Sequence, residues 1–116
     1  IDVTDDDARE RLAHSGRAYR EFALRYPVAY SLMFSREHHP DSDVAEHAFS
    51  VLTEHIRYGQ NAGLLMKIDP YQATMQVWSC VHGAVSLELA GTHPHTIDPT
   101  ENYEHVLAMV VRGLSS

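Results

Sequence analysis

The chain has 116 residues, which is enough for one domain with a single hydrophobic core and too few for two domains of ordinary size. Hydrophobic residues make up 44% and charged residues 22%, a balance that is typical of a folded globular domain and excludes a disordered polar tail. The formal net charge of −7 disfavours direct binding to nucleic acid, a single cysteine excludes an internal disulfide, and no apolar run is long enough to cross a membrane.

The first half of the chain predicts two helices and a loop. Over about residues 4–26, apolar residues recur at helical spacing opposite a charged face, which predicts an amphipathic helix. Pro27 prevents this helix from continuing in the same frame. Residues 27–34 are too apolar for a surface loop, so we predict a short buried helix there. Residues 35–43 have the composition of a loop.

The third predicted helix covers about Val44–Leu65, where an apolar stripe again keeps a period of 3.6 residues. Gly59 and Gly63 lie one turn apart near its end. These glycines either allow another segment to approach closely or weaken the end of the helix, since each is less favourable there than alanine.

Two Asp-Pro pairs mark the starts of the last two helices. Asp69-Pro70 and Asp98-Pro99 each place a capping aspartate before a first-turn proline. They predict helices over about Pro70–Ala90, ended by Gly91, and over about Pro99–Leu114. No run of residues alternates with the period of a β-strand, so the sequence predicts an all-α bundle of about five helices.

The last two predicted helices are apolar around more of their circumference than a core stripe requires. Because so small a domain has few other helices to cover them, we expect a two-fold homodimer in which these helices form a four-helix interface. The alternative is that a single monomeric bundle buries both faces. The candidate interface residues are Val77, Val81, Ala84, Glu88, Tyr103, Val106, Leu107, Val110, Val111 and Leu114.

Two sequence motifs resemble a known family. Residues 78–83, Trp-Ser-Cys-Val-His-Gly, match the Trp-x-x-x-His-Gly signature of one class of C-terminal domains in tetracycline-repressor-like regulators. Residues 19–34 are similar to that class's first helix, its proline break and the Leu-Met-Phe segment behind it. The resemblance extends over essentially all of residues 1–116, and it identifies them as a C-terminal ligand-binding and dimerisation domain.

The resemblance also implies a function. A helix-turn-helix domain is expected upstream of Ile1, where it would read operator DNA as a homodimer. Independently of the resemblance, a chain that opens at Ile rather than Met suggests an internal cut, and a processed terminus is the alternative. A small, largely apolar effector is expected to bind among the helices and to release the operator, as in a bacterial transcriptional repressor. The lone cysteine fits a reducing cytoplasm, and we expect no membrane partner.

Residues on the apolar stripes are candidates for the wall of such a pocket. Aromatic and methionine side chains give an adaptable apolar surface, and tyrosine hydroxyls add polar anchors. Core packing is the alternative for each of them. His82 must either bond a partner in the core or border a cavity, and Gly83 beside it is expected to allow a close helix crossing. The candidate ligand-binding residues are Tyr19, Phe22, Tyr26, Tyr30, Met33, Phe34, Phe49, Leu52, Ile56, Met75, Trp78 and His82.

Other classes of function have weaker support in the sequence. The nine histidines show no metal-binding spacing: His38 and His39 lie in one predicted loop and His93 and His95 in another. Cys80 lies inside an apolar helix, where a thiol is usually inert, and no phosphate loop or nucleophile elbow is present. We therefore expect no enzyme, cofactor or metal. A dimerisation module without a ligand, and a haem-binding or metal-binding helical protein, remain as alternatives.

Overall fold

The computed structural model describes residues 5–34 and 42–116, with side-chain burial given for residues 8–34 and 45–116. Five helices form in these ranges, and no strand does, which confirms the all-α prediction. Most of the loop predicted at residues 35–43 lies outside the described residues. None of the described helices has the length and apolarity needed to cross a membrane. The helices are α1 (Asp5–Arg25), α2 (Pro27–Met33), α3 (Ser42–Asn61), α4 (Pro70–Leu89) and α5 (Pro99–Leu114).

Helix α1 is the centre of the bundle, because it contacts each of the other four helices. Pro27 starts α2 directly after α1 ends, as the sequence predicts. The prediction that α2 is buried is wrong for most of its surface: Tyr30 is 3% exposed, but Val28 is 72% exposed and Leu32 is 44% exposed. The reason is that α2 packs mainly against α1, which covers only the side that carries Tyr30.

Helix α3 ends at Asn61, four residues before the predicted end at Leu65. Gly63 has a φ of +78°, a conformation that glycine adopts without steric cost and that terminates the helix. Gly59 has a different role, since a Cβ there would lie 2.5 Å from Cδ1 of Leu65. One glycine therefore ends the helix, and the other makes room for the chain to fold back against it.

Local capping signals set the bounds of α4 and α5. The side chain of Asp69 accepts a hydrogen bond from the backbone N–H of Tyr71 at 3.0 Å, and that of Asp98 accepts one from Glu101 at 3.0 Å. Gly91, with a φ of +68°, follows the end of α4. Both predicted helix starts and the predicted glycine stop are confirmed.

The chain buries most of the predicted dimer interface in its own core. Six of the ten candidates are at most 9% exposed, so they have almost no surface left for a second subunit. Since α4 is apolar on several sides, its periodicity alone does not decide which side faces the core, and this part of the interface prediction needs correction. The six residues are Val77, Val81, Tyr103, Leu107, Val110 and Leu114.

A charged pair joins three helices next to this core. Arg20 of α1 donates two hydrogen bonds to the carboxylate of Glu88 on α4, at 2.9 and 2.8 Å, and a third to Oγ1 of Thr100 on α5 at 3.0 Å. The Arg20 and Glu88 side chains are 19% and 14% exposed. Glu88, another interface candidate, is thus held within its own chain. The other three, Ala84, Val106 and Val111, are half-buried.

Candidate ligand-binding cavity

A cavity of about 380 Å³ lies between the helices, and all five elements contribute to its wall. Its volume is within the range of small-molecule pockets. The lining is almost entirely apolar. It comprises Leu12, Ala13, Ser15, Gly16, Ala18, Tyr19 and Phe22 of α1, Tyr30, Met33 and Phe34 at α2, Ala45, Ala48, Phe49, Val51 and Leu52 of α3, Val77, Trp78 and Val81 of α4, and Leu107, Val110 and Val111 of α5.

Short side chains help to keep this space open. On α1, Ala13, Gly16 and Ala18 line the cavity, and Ala45 and Ala48 line it from α3. These residues leave room that larger side chains would fill in a close-packed core. The sequence analysis missed them, because an alanine or glycine in an amphipathic helix gives no signal that distinguishes a cavity wall from ordinary packing.

Eight of the twelve predicted ligand-binding residues lie in the cavity wall. They are Tyr19, Phe22, Tyr30, Met33, Phe34, Phe49, Leu52 and Trp78. Among the other four, Ile56 is 1% exposed within the core, whereas Tyr26 and Met75 are 48% and 47% exposed on the outside. His82 does not line the cavity either, but it bonds directly to two tyrosines that do.

Five of the predicted interface residues line the same cavity from α4 and α5. Their place on the apolar stripes of the two helices predicts contacts between subunits instead. In the folded chain these stripes face α1 and α3 across the cavity. The five residues are Val77, Val81, Leu107, Val110 and Val111.

A hydrogen-bonded cluster joins α1, α2 and α4 beside the cavity. The hydroxyl oxygens of Tyr19 and Tyr30 are 2.7 Å apart, and Nδ1 of His82 is 3.1 Å from the first and 2.6 Å from the second. Nε1 of Trp78 donates to the Tyr19 hydroxyl at 3.3 Å, and Oγ of Ser86 is 3.4 Å from Nε2 of His82. The imidazole is thus a partnered histidine at the edge of the cavity.

Burial keeps this cluster electrically neutral. It lowers the pKa of His82, since the charged imidazolium is the form that burial disfavours. Burial also raises the pKa values of the Tyr19 and Tyr30 hydroxyls, because the charged phenolate is disfavoured in the same way. At neutral pH the cluster therefore presents two phenols and an uncharged imidazole.

Aromatic rings pack around the cluster and the adjoining wall. The ring of Phe34 lies 4.6 Å from that of His82 and 5.7 Å from that of Trp78, measured between centroids. Tyr30 is 5.0 Å from Phe34, and Phe49 is 6.1 Å from Trp78. Rings at these separations pack favourably and give the wall flat apolar surfaces.

The histidines give no sign of a metal centre in the part of the chain that the structure describes. No three His, Cys, Asp or Glu side chains come together there in a way that could hold a metal ion. His38 and His39 lie outside the described residues. Of the described histidines, His82 bonds to two tyrosines of the cavity wall through its Nδ1 atom.

Glycine positions distinguish tight from open helix faces. A Cβ at Gly16 would collide with the side chain of Leu107, and the Gly16 carbonyl accepts a hydrogen bond from the Tyr103 hydroxyl at 2.6 Å. Gly16 is therefore the close crossing of α1 and α5. The corresponding prediction for Gly83 is wrong within the described chain, since no atom beyond the neighbouring backbone of α4 lies within 4 Å of a Cβ at that position.

Comparison with known proteins agrees with this architecture. The model of one family, described as the tetracyclin repressor-like C-terminal domain, matches residues 12–110. No curated protein and no solved structure matches the chain significantly. The matched range includes all of α2, α3 and α4 and most of α1 and α5, and with them the whole cavity except for Val111. The chain therefore belongs to the family of tetracycline-repressor-like C-terminal domains.

Proposed function

We propose that this domain is the effector-sensing and dimerising part of a bacterial transcriptional repressor that works in the cytoplasm. A small, largely apolar ligand binds in the cavity and changes the equilibrium between conformers. A helix-turn-helix domain upstream of the chain then binds its operator less tightly. The observation that carries the proposal is the apolar cavity of about 380 Å³, placed among all five helices and bordered by the Tyr19–Tyr30–His82 cluster.

The size of the cavity favours ligand binding over imperfect packing. Protein interiors are close-packed, and voids much larger than a water molecule are few. An apolar pocket of this size that several helices line together is typical of a small-molecule site. Its position also suits an allosteric role, because an occupant would touch α1, α3, α4 and α5 together.

The outer faces of α4 and α5 are the proposed dimer interface, in place of the buried stripes. Helix α4 has one charged residue, Glu88, and its carboxylate is bonded to Arg20 of the same chain. The remaining outer surface is uncharged, with Leu87 57% exposed and open space beside Gly83. Met109 of α5 is 51% exposed. Apolar surface of this kind favours association between identical subunits.

The fluorescence of Trp78 gives a direct test of ligand binding. Trp78 is the sole tryptophan of the chain, and it lines the cavity. Titration with octan-1-ol should change its emission in a saturable way and raise the melting temperature of the protein by mass action. If neither signal changes for octan-1-ol or for any compound of a panel of apolar molecules, the sensor proposal fails. The chain would then fit a dimerisation module without a ligand.

The interface is tested by sedimentation of paired variants. Leu87→Glu places a charge on the outer face of α4 and should convert the dimer to a monomer at micromolar concentration. Val28→Glu changes a residue that is 72% exposed on α2 and should leave the dimer intact. A wild-type chain that stays monomeric at high concentration would overturn this interface.

A further inference from the structure

The distances in the hydrogen-bonded cluster indicate which hydroxyl donates to which acceptor. The Tyr30 oxygen lies 2.6 Å from Nδ1 of His82, which is shorter than the usual 2.7–3.2 Å of an N–H···O bond and typical of a hydroxyl donor. We therefore assign the Tyr30 hydroxyl as the donor and Nδ1 of His82 as the acceptor. The single lone pair of Nδ1 then serves Tyr30 first, and the Tyr19 oxygen lies farther from it, at 3.1 Å. Tyr19 donates to Tyr30 instead, across 2.7 Å.

Both tyrosine hydroxyl protons are consequently donated to acceptors inside the cluster. Trp78 donates its ring N–H to Tyr19, Tyr19 donates to Tyr30, and Tyr30 donates to His82. Each phenol oxygen accepts one bond and donates one, which leaves it a second lone pair. Burial is the main cause of the raised pKa of Tyr19, and the hydrogen bond with Tyr30 raises it further. Towards the cavity, the tyrosines therefore offer acceptors and no donor.

The rest of the described wall does not supply a donor suited to an anion. Apart from this cluster, Ser15 is the one lining residue among those described that has a side-chain hydroxyl. Its single neutral hydroxyl cannot replace the hydration shell of a carboxylate. The neighbouring cations of α1 do not line the cavity, and Arg17 and Arg20 are paired with Glu104 and Glu88.

We propose that the cavity selects apolar molecules that donate a hydrogen bond, such as aliphatic alcohols, and discriminates against carboxylates of the same chain length. This inference rests on the proposed function and specifies its ligand class. The hydroxyl of an alcohol donates to the free lone pair of Tyr19 while its chain occupies the apolar wall. A carboxylate brings a charge and lone pairs, finds no cation and only the Ser15 hydroxyl as a further donor in the described wall, and loses its hydration.

Three probes of similar size separate these possibilities in the wild-type protein. Octan-1-ol donates and accepts, its isomer 1-methoxyheptane accepts only, and octanoate at pH 8 is an anion. Calorimetric titration should show octan-1-ol binding about threefold to tenfold more tightly than the ether, as expected for one hydrogen bond. Octanoate should bind more than tenfold more weakly than octan-1-ol.

Paired variants then locate the acceptor. Tyr19→Phe should remove the preference for the alcohol over the ether and change the affinity for the ether by less than twofold. Tyr26→Phe is the control, because Tyr26 is 48% exposed and does not line the cavity. This control should keep the full wild-type preference.

The outcomes distinguish this inference from the function on which it rests. Equal binding of the alcohol and the ether by the wild-type protein, or tighter binding of octanoate, overturns the donor selectivity and leaves an apolar sensor in place. Failure of all three probes overturns the donor selectivity, and failure of the whole panel of apolar molecules overturns the proposed function as well. The comparison of probes needs no variant, so it decides the matter even if Tyr19→Phe does not fold.

Discussion

Replacing valine by phenylalanine, separately at two positions of α4, tests whether the cavity is empty space. Val81 and Val85 lie one turn apart on α4 and are 3% and 0% exposed. Val81 lines the cavity, whereas Val85 does not. Replacing either by phenylalanine adds four carbon atoms. In a close-packed site, such overpacking destabilises a protein by about 1–3 kcal/mol.

The expected effects of the two changes have opposite signs. At Val81 the added ring enters the cavity, where burying four carbons at about 0.8 kcal/mol each gives about 3 kcal/mol. Restriction of the side chain and imperfect fit reduce this gain, so we expect Val81→Phe to range from neutral to about 2 kcal/mol stabilising. At Val85 the full cost of overpacking applies. The two melting temperatures should differ by more than about 4 °C, since 1 kcal/mol corresponds to about that shift in a small domain.

Thermal unfolding and fluorescence titration measure both consequences. Val81→Phe should unfold at or above the wild-type temperature and lose the Trp78 response to octan-1-ol, because its ring occupies the ligand site. Val85→Phe should unfold at a lower temperature and keep the response in the fraction that remains folded. Equal destabilisation by the two changes would refute the reasoning, since it would mean that the space beside Val81 is already filled.

Three further predictions concern the contacts that hold the helices around the cavity. Glu88→Gln should destabilise the chain by about 1.5–3 kcal/mol in urea unfolding, because it removes the charge that pairs with the largely buried Arg20. Tyr103→Phe should cost about 1–2 kcal/mol, since it removes the buried hydrogen bond that the Tyr103 hydroxyl donates to the Gly16 carbonyl. Burial lowers the pKa of His82 below 6.5, so the unfolded chain binds the proton more readily. Stability should be fully present above pH 6.5 and decrease as the pH falls below it, with a shallower slope in His82→Gln.

Matched controls accompany these measurements. Glu54→Gln alters an exposed pair and should leave the unfolding midpoint unchanged, as should Tyr71→Phe, whose ring is 56% exposed. Burial also lowers the pKa of His55, with a smaller effect from nearby Arg11, so part of the pH slope should remain in His82→Gln. A pH dependence of stability that is identical with and without His82 would contradict the assigned contacts. So would losses of stability in the exposed controls as large as those in Glu88→Gln and Tyr103→Phe.

The helices could be predicted from the sequence because their ends depend on local chemistry. The caps of Asp69 and Asp98 and the stops at Pro27 and Gly91 act within a few residues, and each is found where the sequence places it. The predicted end of α3 is less accurate, because the sequence does not show whether Gly59 or Gly63 ends the helix and which of them allows another segment to approach.

The cavity could be predicted only in part, because it depends on how helices distant in sequence pack together. Aromatic residues of α1 and α2 were recognised from their stripe, but the small residues that leave the space open, such as Gly16 and Ala48, gave no such signal. The pairing of Arg20 with Glu88 joins residues 68 positions apart. A periodic pattern shows that α4 has several apolar sides and does not show which of them face the core.

A crystal structure of the protein grown with octan-1-ol tests the central claim most directly. The account predicts electron density for one alcohol molecule among α1, α3 and α4, with its hydroxyl oxygen within hydrogen-bond distance of Tyr19. Side chains that fill this space in the crystal, or an alcohol found only on the outer surface, would contradict it.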